Sequence, residues 1–171
     1  MPELPEVETI RRGLLPLQKQ RIKDVVIHLP KIIRPNDAGV RLAGQTVRLI
    51  DRRGKLLIFR LSSGDYLLIH LKMTGQLVYR PKPGKMFVGG HPIINVVDVP
   101  NKFTHVEIHF LNKGVLYFND VRRFGYLKLA TPSEVVKIKS AYGPEPLDPK
   151  LTSQQWLKIL EKKSQWSVKK L

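Results

Sequence analysis

The chain contains no cysteine. That excludes a disulfide scaffold, a thiol nucleophile and any zinc site built on thiolates. It also lacks an apolar run near the roughly 18–20 residues of a membrane span, and its N-terminus has no hydrophobic leader region. Acidic residues are scarce: 14 Asp and Glu stand against 30 Lys and Arg in 171 residues, a formal charge of +16. Hydrophobic residues make up 42%, enough for a core, so the charge does not signal plain disorder. A folded basic module with an anionic partner is the expectation, nucleic acid first and an anionic membrane surface second.

The opening Pro2-Glu3-Leu4-Pro5-Glu6-Val7-Glu8 places three acids before Arg11 and Arg12, the polarity that a helix dipole favours. Val7, Ile10 and Leu14 share one face, so a helix is predicted over about residues 3 to 16. Short β-like runs follow at Ile22–Leu29, Thr46–Ile50, Leu56–Leu61, Tyr66–Leu71, Leu77–Tyr79, Val106–Phe110, Val115–Asn119 and Tyr126–Leu129. Ser62-Ser63-Gly64-Asp65 and Asn112-Lys113-Gly114 supply hairpin turns. Residues 80 to 100 read as a long loop with one short strand near Ile93–Val97. Helical signals return at Thr131-Pro132-Ser133-Glu134 and Thr152-Ser153-Gln154-Gln155, both capping-box patterns. Between them, Gly143-Pro144-Glu145-Pro146-Leu147-Asp148-Pro149 is too proline-rich for a helix and reads as a hinge. The predicted class is therefore mainly β with flanking helices: an antiparallel sandwich or barrel, an N-terminal helix, and C-terminal helices.

Four segments could carry chemistry. Removal of Met1 would expose the secondary amine of Pro2. An α-amino group, with a pKa near 7.7–8.0, is partly neutral at physiological pH and can attack a sugar C1′ to form an iminium. Glu3 and Glu6 lie close enough to act there as acid or base, although the same acids would equally satisfy a helix end. Arg52-Arg53-Gly54-Lys55 suits a phosphate clamp or a solvated basic turn. In Asp120-Val121-Arg122-Arg123-Phe124-Gly125, Phe124 suits a wedge entering a base stack while Arg122 and Arg123 hold phosphates or the orphaned base. The alternative puts Phe124 in the core and pairs the arginines with Asp120. In His70-Leu71-Lys72-Met73-Thr74-Gly75, His70 is either a phosphate ligand or a buried imidazole, and Met73 has the profile of an ordinary core residue. His105 and His109 share a strand face but lack a carboxylate cluster at ligand spacing, so no metal site is expected.

Together these segments resemble the formamidopyrimidine-DNA glycosylase family of base-excision repair enzymes. The match runs in order through Met1–Thr9 with Arg11–Leu14, Arg52–Leu57, Ile69–Gly75, Arg122–Gly125 and Gly143–Leu147. Leu4-Pro5 is similar to the oxidised-purine branch, not the endonuclease VIII branch. The resemblance implies a two-layer β-sandwich catalytic domain, with its N-terminal helix, over 1–131. Linker helices over 132–171 would lead into a truncated helix–two-turn–helix module. It implies that Pro2 displaces the damaged base, Glu3 serves the opening sugar, Glu6 supports proton transfer in elimination, and Lys55 holds a phosphate. Met73, Arg122 and Phe124 would fill the gap left by an everted nucleotide, with His70 and Arg123 also on the DNA. The activity implied is glycosylase with β,δ-elimination on duplex DNA carrying 8-oxoguanine, formamidopyrimidines or abasic sites, by a monomer in the cytoplasm or nucleoid of a bacterial cell.

The family's single zinc ion belongs to a four-cysteine finger, for which this chain has no ligands, so no cofactor is expected. Val121 replaces a proline usual in the family, and Phe103 a frequent histidine. The alternative readings are a non-catalytic damaged-DNA-binding fragment and, further off, an N-terminal-proline tautomerase.

Overall fold

Leu57, Phe59 and Leu61 point to one side of a strand while Leu56 and Ile58 point to the other, and all five are buried. Such a two-sided strand must be covered on both faces, and in the computed structural model it is. The structure describes residues 2–82, 84–90 and 98–162. Its elements run α1 (Leu4–Gly13), β1 (Ile22–Ile27), β2 (Ile33–Arg34), α2 (Ala38–Leu42), β3 (Val47–Arg53), β4 (Leu56–Leu61), β5 (Tyr66–His70) and β6 (Gly75–Arg80). Then come β7 (Phe87–Gly90), β8 (Thr104–Phe110), β9 (Val115–Asp120), β10 (Tyr126–Ala130), α3 (Pro132–Ser140) and α4 (Ser153–Lys162).

Two five-stranded sheets stack, in the orders β1-β8-β9-β6-β7 and β2-β10-β5-β4-β3. All pairings are antiparallel except β2 with β10, which is parallel. The core between them holds Leu57, Phe59 and Ile69 from one sheet and Leu77, Val106, Ile108 and Phe118 from the other. The far face of β4 and β5 is sealed by α3, where Val135 and Ile138 meet Leu56, Ile58 and Leu68.

Helix α1 packs on β7 and on β3 and β4, so it closes the seam between the two sheets with Val7 and Ile10 buried. Two glycines set how closely it can do so. A Cβ on Gly13 would lie 2.0 Å from the Phe87 ring, and one on Gly89 would lie 2.5 Å from Ile10.

The structure differs from the sequence expectation in three places. Residues 87–90 form an edge strand inside the stretch predicted as loop, pairing with β6 from Gln76↔Gly90 to Tyr79↔Phe87. Its Gly-rich sequence signals no strand, yet the glycines let it lie against α1. Strand β2 and helix α2 were also not anticipated, being two and five residues long. The strand expected near Ile93–Val97 falls outside the described residues. Both late capping boxes form: Thr131 Oγ1 accepts from the Glu134 N–H, and Thr152 Oγ1 from the Gln155 N–H.

Candidate active site and nucleic-acid interface

The fold brings Glu3, Lys55 and His70 onto one cleft of about 630 Å³, walled further by Tyr142, Glu145 and Trp156. Three distant stretches of sequence thus converge where α1 begins. Glu3 precedes the helix, and its backbone N–H donates to Glu6 Oε2 at 2.8 Å. Glu6 therefore caps the helix and fixes the direction in which the chain's first residues leave it. It is exposed and is not part of the cleft wall. Pro2 is buried in a chain that still carries Met1.

Lys55 is half-buried at the β3–β4 turn and makes no ion pair among the described residues. Gly54 beside it takes φ +54, and a Cβ there would lie 2.8 Å from the Tyr142 ring, so the turn needs glycine twice over. Arg52 itself fits neither sequence reading of this motif, since it is neither solvated nor free for a phosphate. Its side chain is 5% exposed and forks between Glu8 Oε2 at 3.1 Å and Glu145 Oε1 at 3.0 Å. Glu145 also accepts the Gly54 N–H at 3.2 Å, and Arg53 donates to the Gly143 carbonyl at 2.7 Å. The Gly143–Leu147 segment is thus fastened to the turn that presents Lys55. Hydrogen bonds from Arg11, Arg12 and Arg52, outweighing burial, hold the Glu8 carboxyl down at about 2.

Sequence reasoning missed Glu8, Tyr142, Glu145 and Trp156. A carboxylate confined between two prolines was the signal available for Glu145.

His70 accepts the Lys72 N–H at Nδ1, at 3.0 Å. Burial first, then the charges of Lys72 and Lys55, push its pKa down to about 4. It is neutral at physiological pH.

The second cluster lies at the β9–β10 loop. Phe124 is 53% exposed, and the Arg122 guanidinium sits 4.7 Å from its ring centre. Arg122 Nη1 also approaches Met73 Sδ at 3.2 Å, and Met73 is itself exposed, unlike an ordinary core methionine. Met73, Arg122 and Phe124 therefore form one protruding group, while Arg123 is exposed in the left-handed region at φ +59.

Asp120 does not pair with the arginine side chains. Fully buried, it accepts from the Thr74 hydroxyl, the Arg122 N–H at 3.2 Å and the Gly125 N–H at 2.7 Å. It pins both ends of the loop and joins it to the turn bearing Met73. Gly125 is obligatory here, because a Cβ would lie 2.7 Å from the Phe118 ring. Replacing Asp120 with Ala orphans the half-buried Thr74 hydroxyl and the buried Gly125 N–H, while the Arg122 N–H keeps Thr74 Oγ1 at 3.0 Å. The expected cost is about 3 kcal/mol or more, read as a lowered urea midpoint, with Asp120→Asn intermediate.

No group of residues fit to hold a metal occurs among the described residues. His105 bonds the Asp120 carbonyl at 2.7 Å, while His28 and His109 flank Glu107 at 2.7 and 3.2 Å. A zinc ion held by four thiolates has no fit in a chain without cysteine. Nor is any helix among the described residues long and apolar enough to cross a membrane.

Comparison with known proteins bears on the same residues. The family model for the formamidopyrimidine-DNA glycosylase N-terminal domain matches residues 1–127. The formamidopyrimidine-DNA glycosylase of Roseobacter denitrificans is 40% identical over 156 residues, covering 86% of this chain and 52% of the relative. That of Moorella thermoacetica is 41% identical over 155 residues, covering 87% and 52%. The Lactococcus lactis Fpg crystallised with DNA containing an abasic site superposes with a TM-score of 0.76 at 29% identity, covering 94% of this chain and 57% of that one. The chain spans about half the length of the curated relatives it matches. A family model covering most of the chain, and a sandwich that superposes on the same family's fold, make this chain a member of the formamidopyrimidine-DNA glycosylase family.

Proposed function

We propose that this chain carries the catalytic half of a base-excision repair enzyme, a bifunctional glycosylase and AP lyase acting on oxidised purines in duplex DNA. The observation that supports it most is the convergence of Glu3, Lys55 and His70 on one cleft at the start of α1, beside an exposed Met73–Arg122–Phe124 group. The two lie close: a Cβ on Gly125, at the root of the wedge loop, would be 3.0 Å from the His70 carbonyl.

In this reading Phe124 enters the base stack, with Arg122 and Met73 filling the space of the everted nucleotide. Once Met1 is removed, the Pro2 nitrogen attacks C1′. The N-glycosidic bond breaks and the base leaves with its electron pair, taking up a proton. Glu3 delivers a proton to O4′ as the sugar opens, leaving an iminium between Pro2 and C1′. The iminium acidifies C2′–H, and loss of that proton expels the 3′ phosphate. A second elimination expels the 5′ phosphate, with Glu6 aiding the proton transfers from behind Glu3, whose N–H it accepts. Lys55, free of carboxylate partners, holds the neighbouring phosphate. Water then releases the sugar fragment from Pro2. The partner is double-stranded DNA with oxidised purines or abasic sites, and the protein acts as a monomer inside the cell. A tautomerase reading has less support, since Pro2 precedes a capped helix and does not open a strand.

The test is borohydride trapping with duplex DNA carrying 8-oxoguanine or an abasic site. The expected result is a covalent protein–DNA adduct whose attachment point is Pro2. DNA binding without any adduct would favour the non-catalytic reading. In that case log affinity should fall with log salt at about 0.9 per phosphate contact.

A further inference from the structure

His70 closes β5, where the chain turns into Leu71–Gly75. Lys72 adopts φ +52 in that turn, a conformation few non-glycine residues take. The bend directs its N–H back onto His70 Nδ1 at 3.0 Å. An imidazole that accepts at Nδ1 while neutral carries its proton on Nε2. Tyr126, paired with His70 across β10 and β5, lays its ring beside the imidazole at 5.7 Å between centroids. The Lys72 ammonium stands 5.9 Å from the centre of that same tyrosine ring. One turn and one cross-strand aromatic thus hold the imidazole, leaving Nε2–H as the polar group it offers to the cleft it lines.

We propose that Lys72 and Tyr126 are positioning residues that lock His70 as the neutral Nε2–H tautomer, a fixed hydrogen-bond donor to a DNA phosphate oxygen. Locked in this way, His70 is neither a cation that titrates near neutrality nor a base. The role rests on the glycosylase reading above, while the lock itself does not. The charged and titratable groups around the cleft are Glu3 just ahead of α1, Arg53 and Lys55 from the β3–β4 hairpin, Lys72 and Tyr126, and Tyr142 and Glu145 from the segment after α3. Arg53 and Glu145 are engaged with each other's segments, so Lys55 and Lys72 are the nearby charges that oppose a histidine cation. A neutral donor keeps phosphate affinity level across the pH range in which free histidine would change charge.

The experiment is long-range proton–nitrogen NMR on the nitrogen-15-labelled chain, with His70→Gln assigning the resonance among the five histidines. At pH 7, His70 is expected to show a bare Nδ1 and a protonated Nε2, with titration delayed to about pH 4. Lys72→Gly keeps the N–H and permits positive φ, so it should retain the tautomer while the midpoint rises. Tyr126→Ala should raise the midpoint further toward 6.5 and mix the tautomers. An Nδ1–H tautomer, a midpoint near 6.5 in the unaltered chain, or a Tyr126→Ala spectrum identical to it would each overturn the lock.

A second arm measures affinity for a duplex with an abasic-site analogue. The unaltered chain should bind equally at pH 7.5 and 5.5, and Tyr126→Ala several-fold more tightly at pH 5.5 than at 7.5 as its histidine gains charge. The expected tautomer in a chain that binds no DNA would overturn the donor role along with the glycosylase reading. The wrong tautomer in a chain that does bind would overturn the lock alone.

Discussion

A chain that keeps Met1, or carries any residue ahead of Pro2, is expected to lose borohydride trapping on the order of 10³-fold or more, as enzymes do when a nucleophile is removed. The reason is electronic. Joined to Met1, the Pro2 nitrogen belongs to an amide and its lone pair is delocalised into the carbonyl. Freed, it is a secondary amine one residue ahead of Glu3, which lines the cleft with Lys55. Trapping by the processed chain should rise with pH and level off above about 8, as the amine loses its proton. Pro2→Gly keeps a primary amine and should trap measurably but more weakly. Equal trapping by extended and processed chains would show that another amine forms the adduct, and Lys55→Ala would then identify or exclude the lysine.

The second large effect lies away from the chemistry. Arg52→Ala should lower unfolding free energy by about 3–5 kcal/mol, the usual cost of breaking a buried ion pair by removing one partner. The Arg52 side chain is 5% exposed, and those of Glu8 and Glu145 are 13% and 15% exposed. Glu8 retains Arg11 and Arg12, which places the loss nearer the lower bound, whereas no other cation is seen paired with Glu145 among the described residues. Arg52→Lys should rescue only part, because one ammonium cannot span two carboxylates as a guanidinium does. Arg12→Ala is the control: its pair is 71% exposed on the arginine side and should matter by about 0.5 kcal/mol or less.

The pH dependence has a definite sign. The Glu8 pKa is lowered on folding from 4.5 to about 2, so its contribution is complete above about pH 4.5 and lost as pH falls toward 2. The gap between the Arg52→Ala variant and the unaltered chain should therefore narrow over that window. Urea denaturation at pH 7, 4 and 3 measures it. A gap that stays constant would mean that Arg52 stabilises through packing alone.

Much of the secondary structure could be read from local pattern. The run Leu56–Leu61 is apolar on both faces and became a strand covered on both. Thr131 and Glu134 spell a cap and form one. Strand β7 was hidden because Phe87-Val88-Gly89-Gly90 has the composition of a loop. Gly89 is there because Ile10 must pass close by, a requirement set by a helix more than seventy residues earlier, and Gly90 because its φ is +113 and the backbone of Gly75 and Gln76 leaves no room for a Cβ. The candidate site divides similarly. Pro2, Glu3, Lys55 and Phe124 lie in segments whose local chemistry suggests a role, His70 enters only through the family resemblance, and whether Phe124 is core or wedge is undecidable from sequence. Its exposure follows from how Asp120 ties the loop.

By itself the sequence determined charge, helix and strand tendencies, the lack of cysteine, and the family, because each of these is a sum over the chain or an ordered set of short local motifs and needs no contact between distant residues. Only the tertiary structure decided that Arg52 is a buried bracket and not a phosphate clamp. It also decided that Glu6 turns to the helix end, and that Glu3, Lys55 and His70 meet. The physical reason is distance along the chain: Arg52 and Glu145 are separated by 93 residues. No local periodicity encodes a pairing that exists only after two sheets have stacked and a proline-stiffened segment has folded back across their edge.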